Sequence, residues 1–159
     1  MDVDLRQVMS RSVSGVVVIA ARDGNHDVAS TITSFLSVSL DPPMVGFLVH
    51  RDARLREAVE QDSGWAVSIL GEQGRAAATW LGEPGRPILD QLAPIPHRYG
   101  PATGAAILDA VTGWVEARTA SIAEYGSHDF VVGEVLEVGI GSTSGAILHG
   151  YGQLHLWNP

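Results

Sequence analysis

Residues 13–21 read V-S-G-V-V-V-I-A-A and run straight into Arg22-Asp23-Gly24-Asn25. A β-branched run closed by Asp-Gly and Asn marks a strand followed by a tight hairpin turn, and residues 26–35 read as the returning strand. The rest of the chain repeats this logic. Residues 44–50 (MVGFLVH) and 64–70 (GWAVSIL) are short apolar strands, and residues 110–123 alternate around Trp114, Val115 and Ile122. Residues 130–138 follow the turn Tyr125-Gly126-Ser127, and residues 146–157 supply a closing hairpin partner or terminal strand. Helical spacing is confined to short pieces. Leu5, Val8 and Met9 form one, a segment opened by Asp52 as N-cap carries Leu55, Ala58 and Val59, and residues 72–81 carry Ala76, Ala77 and Trp80. About seven strands against two or three short helices, with no regular βαβ alternation, disfavour a doubly wound parallel sheet. They predict a mainly β, closed or nearly closed antiparallel barrel with peripheral helices. Without repeats or a linker, residues 1–159 read as one domain, its core supplied by the 45% apolar content.

Two interruptions stand out. Asp41-Pro42-Pro43 must break regular strand pairing. Residues 82–104 hold Pro84, Pro87, Pro94, Pro96 and Pro101 and read as a long irregular excursion of the kind that often carries function.

Composition removes much chemistry. All ten basic residues are Arg, against 18 acidic ones, for a net charge of −8. That balance argues against nucleic acid as a partner, because phosphate neutralisation needs a basic footprint. Absence of Lys excludes Schiff-base chemistry and the P-loop lysine. Absence of Cys excludes thiolate nucleophiles, zinc–thiolate sites and iron–sulfur ligation, and fits a reducing cytoplasm. No apolar run approaches the ~20 residues of a membrane span, and the acidic start Met1-Asp2-Val3-Asp4 is unlike a signal peptide. Redox activity in such a chain has to be borrowed from a cofactor.

Several motifs reduce to structure. The glycines of residues 139–145 lead into a strand-like A-I-L-H, not the helix a dinucleotide loop requires, and so read as a surface turn. Of the six histidines, His149 and His155 lie nearest in sequence, and on a strand they point to opposite or distant positions; structural or surface roles are favoured. No G-x-S-x-G elbow is present. Residues 31–39 (T-I-T-S-F-L-S-V-S) are more informative: five hydroxyls in nine residues, directly before the prolines. Two readings stand side by side, a solvated edge strand and a polar rim with free backbone N–H groups suited to a ribityl chain and phosphate. The cluster His50-Arg51-Asp52-Ala53-Arg54-Leu55-Arg56 opens a helix, where arginines suit an anion more than they suit the helix dipole.

Thr31-Ile32-Thr33-Ser34-Phe35 followed by S-V-S-L-D-P-P at 37–43, T-G-A-A-I-L at 103–108 and G-S-H at 126–128 resembles the flavin reductase-like, FMN-binding split-barrel family. The likeness runs from about Val13 to the end of the chain. It implies a six-stranded antiparallel split β-barrel (Greek key), built as a cytoplasmic homodimer with flavin near the subunit interface. It also implies NAD(P)H:flavin oxidoreductase activity with FMN or FAD, often in service of a separate oxygenase component. Carried onto this chain, Thr31, Ile32, Thr33 and Ser34 line the isoalloxazine, and Ser37, Val38 and Ser39 hold the ribityl chain and phosphate. Arg51 and Arg54 lie near the phosphate, and His128 faces flavin and nicotinamide as the catalytic residue; no metal is implied. The chain departs from the pattern at Ala106 (commonly Pro), at Ser127 (commonly Asp or Thr), and at His50-Arg51-Asp52-Ala53, where relatives often carry N-R-S-S. Two alternatives remain: a non-catalytic flavin- or haem-binding split barrel, and a flavoenzyme with its own organic substrate.

Overall fold

In the computed structural model, which describes residues 3–159, α1 (Leu5–Met9) and β1 (Ser14–Gly15) precede the first hairpin. There β2 (Val17–Asp23) pairs antiparallel with β3 (His26–Ile32), and Gly24 turns the chain at φ +60°, a left-handed position that suits glycine. The chain continues through β4 (Leu36–Leu40), β5 (Pro43–His50), α2 (Arg54–Ala58), β6 (Gly64–Leu70), a single 3₁₀ turn and α3 (Arg75–Gly82). Next come β7 (His97–Tyr99), β8 (Ala106–Leu108), β9 (Val111–Tyr125), β10 (His128–Ile140), β11 (Ala146–Gly150) and β12 (Gln153–Trp157). Seven strands form one sheet in the order β3-β2-β6-β9-β10-β5-β4, every pair antiparallel. β1, β11 and β12 form a second sheet, and β7 pairs with β8.

The mainly β class and the antiparallel pairing are as the sequence predicts; the strand count and closure are not. The sheet has seven strands where the resemblance implies six, and β3 and β4 are its two edges, not partners in a closing ladder. One added strand comes from the prolines. Pro43 is the first residue of β5, a position where a missing N–H is tolerated, so Asp41-Pro42 becomes the turn of a β4–β5 hairpin with Leu40 opposite Pro43. The proline-rich excursion likewise contains β7, which pairs with β8 just beyond its end. Asp52 is not the helix cap; Ala53 holds that position without a side-chain bond. In the β11–β12 hairpin His149 stands opposite Leu154, so alternation puts His149 and His155 on opposite faces.

The core has two sides. One face of the sheet buries Ile19, Phe47, Trp65, Val67 and Val131 under Leu55 and Val59. Phe47 and Trp65 meet edge-to-face at 5.0 Å. The Trp65 indole N–H donates to Thr119 Oγ1 (3.0 Å), whose hydroxyl donates to Val59 O (3.0 Å), so this buried polar pair is satisfied. Gly133 sits mid-strand in β10 because a Cβ there would overlap the Trp65 ring. The other face packs Leu70, Leu92, Leu108 and Ile147 against Ala77, Ala78 and Leu81 of α3.

Among the described residues two carboxylates are buried, Asp129 and Glu116, and the second of them is structural. Glu116 of β9 is fully buried and accepts from Ala102 N (3.2 Å), Thr103 N (2.8 Å) and Thr103 Oγ1 (2.7 Å). A Cβ on Gly100 would overlap its head group. Ala102 and Thr103, the latter the first residue of the T-G-A-A-I-L segment, thus tie the β7–β8 connection onto the sheet.

Candidate functional site

Three segments far apart in sequence meet at one end of the large sheet: the link between β3 and β4, the end of β5, and the β9–β10 turn. His128 stands directly opposite His50, and Phe130 opposite Leu48. β4 reaches β5 only as far as Leu36 opposite Gly46, so beyond that point the outer edge of β5 has no strand partner. Ser34 fills the gap. Its hydroxyl accepts from Leu48 N and donates to Leu48 O, both at 3.1 Å. A hydroxyl can do both at once, and this one bridges the edge that β4 leaves uncovered.

The residues singled out in the sequence divide by what they touch. Thr31 donates to Ala78 O of α3 at 2.7 Å and is committed to helix packing. Ile32 is half-buried against the core, Thr33 is exposed, and Ser34 is the bridge just described. On edge strand β4, Ser37 and Val38 are exposed and Ser39 is half-buried. Arg51 and Arg54 do not converge. Arg54 pairs with Asp23 (2.9 Å), whereas Arg51 pairs with Glu124 (3.0 Å) and donates to Gly126 O (3.3 Å).

His128 is exposed, its Nδ1 hydrogen-bonded with Ser127 Oγ at 2.9 Å. Its ring meets the His50 ring edge-to-face at 5.2 Å. His50 Nδ1 accepts the Asp52 backbone N–H (3.2 Å), which places the proton of a neutral His50 on Nε2. His50, which the sequence marks only as the first residue of the arginine cluster, stands here as the direct neighbour of His128.

Beneath the histidines lies Asp129, 3% exposed. Its Oδ2 takes a short bond from Arg56 Nε, and its Oδ1 has no hydrogen-bond donor, with Arg51 Nε 3.6 Å away. The bond to Asp129 is the main cause holding the Arg56 guanidinium above its ordinary value, outweighing the opposing effect of burial.

The outer edge of β3 is sealed one step from the site. Gln91 Oε1 accepts Ala29 N (3.3 Å), and Arg86 donates to Ala29 O (3.2 Å) and Glu83 O (2.8 Å) as well as to Leu81 O. The guanidinium thus caps the C-terminal end of α3, where a cation complements the helix dipole, while burial pulls its pKa down. Thr33, exposed just past the end of β3, lies beyond this seal. A cavity of about 750 Å³ lies between α3 and the β8–β9 connection, lined by Ala76, Trp80, Ile95, Leu108 and Asp109; it contains none of the site residues above.

Residues 9–155 match the model of the flavin reductase like domain. The chain belongs to this family. A flavin reductase from Pseudomonas putida is 28% identical over 151 residues, covering 92% of this chain and 86% of that protein. The reductase component of 4-hydroxyphenylacetate 3-monooxygenase from Thermus thermophilus is 31% identical over 136 residues, 86% and 83% of the two chains. A probable flavin reductase from Rhizobium meliloti is 30% identical over 132 residues; the match takes in 82% of this chain but 41% of that longer protein. Among solved structures, BorF, the flavin reductase component of a bacterial two-component tryptophan halogenase, superposes with a TM-score of 0.90 at 27% identity, covering 98% of this chain and 97% of that one. The Streptomyces globisporus NADH:FAD oxidoreductase in complex with NAD and FAD fragments gives 0.89 at 26% identity, covering 98% and 92%. The flavin reductase-like family match spans every segment gathered at the site, from Thr31 to His128.

Proposed function

We propose that this chain is an NAD(P)H:flavin oxidoreductase that passes hydride from reduced nicotinamide to FMN or FAD. The observation that carries the reading is the convergence just described, in which Ser34, the end of β5 and His128 form one rim. The relatives that act as reductase components, and the neighbour solved with NAD and FAD fragments, support it.

The donor set fits a flavin. Thr33 and Ser37 present exposed hydroxyls along an open strand edge, suited to the polar rim of the ring and to a polyol chain. Arg54 commits one of its terminal nitrogens to Asp23 and keeps the rest of its fork for a phosphate. Val38 and Ile32 add apolar surface. The bound flavin would supply the two-electron acceptor that a chain without Cys or Lys cannot build from its own side chains. The residues here bind it, orient it and keep water from its reacting edge. Ser127 occupies Nδ1 of His128, so Nε2 is the nitrogen that faces a ligand and orients the nicotinamide.

We read the seven-stranded sheet as a split barrel with Greek-key connections, the β3–β4 link joined to β5 through the Ser34–Leu48 bridge in place of a ladder. In this reading the working form is a homodimer in the cytoplasm, handing reduced flavin to a separate oxygenase. Exposed Leu36, Val38 and Leu40 on β4 and Val138 and Ile140 on β10 supply an apolar surface for such pairing. No helix among the described residues is long and apolar enough to cross a membrane. Steady-state oxidation of NADH and NADPH with added FMN or FAD tests the activity; no flavin-dependent rate with either donor refutes it.

A further inference from the structure

We propose that Arg51 is a positioning residue for His128, a clamp on the turn that carries it and not an anion ligand. The inference rests on the reading of His128 as a site residue. Arg51 follows His50 at the end of β5, directly beside the β9–β10 turn. Its backbone N–H donates to Ser127 O at 3.1 Å. Its guanidinium donates to Gly126 O (3.3 Å), pairs with Glu124 (3.0 Å), and lies 3.6 Å from Asp129 Oδ1. These partners flank His128 on both sides in sequence, so one side chain fixes the turn before the imidazole and the residue after it.

The chemistry of the group explains why an arginine stands here. A planar fork with five N–H donors can reach a carbonyl and two carboxylates together, which a lysine ammonium on a flexible stem does poorly. The turn needs an external hold, because Gly126 (φ +61°) and Ser127 are both exposed at a sheet end. Asp129 needs one too, since Arg56 serves only its Oδ2 and leaves Oδ1 without a donor. With Arg51 45% and Glu124 70% exposed, the pair adds little to global stability. Its effect is local, on where the His128 ring stands.

The test uses the full chain with Arg51→Met and Arg51→Lys, alone and combined with His128→Ala. In the flavin-free protein, the His128 imidazole resonance, assigned through its loss in His128→Ala, is expected to shift or broaden in Arg51→Met. Turnover is expected to fall about tenfold, the scale of a slightly misplaced catalytic group. The FMN and riboflavin dissociation constants should stay within about twofold, Arg51→Lys should recover only part of the rate, and Arg51→Met should cost nothing further once His128 is Ala. Weakened FMN binding with riboflavin binding intact and an unmoved His128 resonance would make Arg51 a phosphate ligand and overturn the proposal, as would additive losses in the double variant. If Arg51→Met fails to fold, Glu124→Gln must perturb the same resonance in the same direction; an unmoved signal overturns the clamp. A wild-type chain without flavin-dependent turnover would refute the reductase reading, while the resonance would still decide the clamp.

Discussion

The buried carboxylate of Glu116 offers the sharpest test of how this fold is held. Replacing it by Ala leaves Ala102 N, Thr103 N and Thr103 Oγ1 without their acceptor. Hydrogen bonds to a charged group contribute about 1.5–3 kcal/mol each. The donors here are half-buried, and removing Glu116 also removes the cost of burying its own charge, so about 1 kcal/mol per donor is the better figure. The expected loss is then about 3 kcal/mol for Glu116→Ala and about half that for Glu116→Gln, which keeps one acceptor oxygen. For a chain of this size 3 kcal/mol lowers Tm by roughly 6–12 °C. Urea unfolding should show a lower midpoint at unchanged m-value, and amide exchange at Ala102 and Thr103 should accelerate beyond the global change. A loss below about 1 kcal/mol for Glu116→Ala, with those two amides still protected, refutes the reasoning.

Other expectations follow from the same contacts. Ser34→Ala hands both backbone groups of exposed Leu48 to solvent and should cost about 0.5–1 kcal/mol, read by denaturation, with faster exchange of the Leu48 amide. Asp129→Ala removes the Arg56 Nε partner and leaves the guanidinium only its exposed pair with Glu60 (3.1 Å), so it should cost about 2 kcal/mol, below the figure for a deeply buried pair because Arg56 keeps 17% exposure. Because the Arg56 pKa is raised on folding, its share of that stability is fully present below the ordinary guanidinium range and lost only as pH climbs through the raised value; urea midpoints between pH 6 and 9 should therefore show no titration from this group. His128→Ala should lower turnover more than flavin affinity in parallel kinetic and binding titrations. Val138→Arg should shift sedimentation toward the monomer if the exposed apolar surface of β4 and β10 joins two copies.

Much of the strand pattern was legible because its signals are local. The Asp-Gly turn marked the β2–β3 hairpin, long alternation marked β9, and the turn Tyr125-Gly126-Ser127 marked the start of β10. What local signals could not show was how prolines are used. Asp41-Pro42-Pro43 reads as a break, yet Pro43 needs no donor at the start of β5, so the same residues make a turn and an extra strand. The site was legible as a set of segments, since hydroxyls before prolines and a histidine after a glycine turn are visible in order. Their internal partners were not. Arg51 and Arg54 read as free cations because Glu124 and Asp23, 73 and 31 positions away, become neighbours only when the sheet forms. Glu116 and Asp129 carry no mark of burial in a sequence, since a charged residue alternating along a strand looks like any solvated one.

The seal on β3 has a consequence beyond the site. Gln91 and Arg86 meet the outward N–H and C=O of Ala29, taking the positions that an incoming extended chain would use to stack against this sheet. Resistance to fibrillar growth along that border is thus vested in two side chains from the proline-rich loop, and a substitution there could leave the monomer intact while opening a template for ordered aggregates.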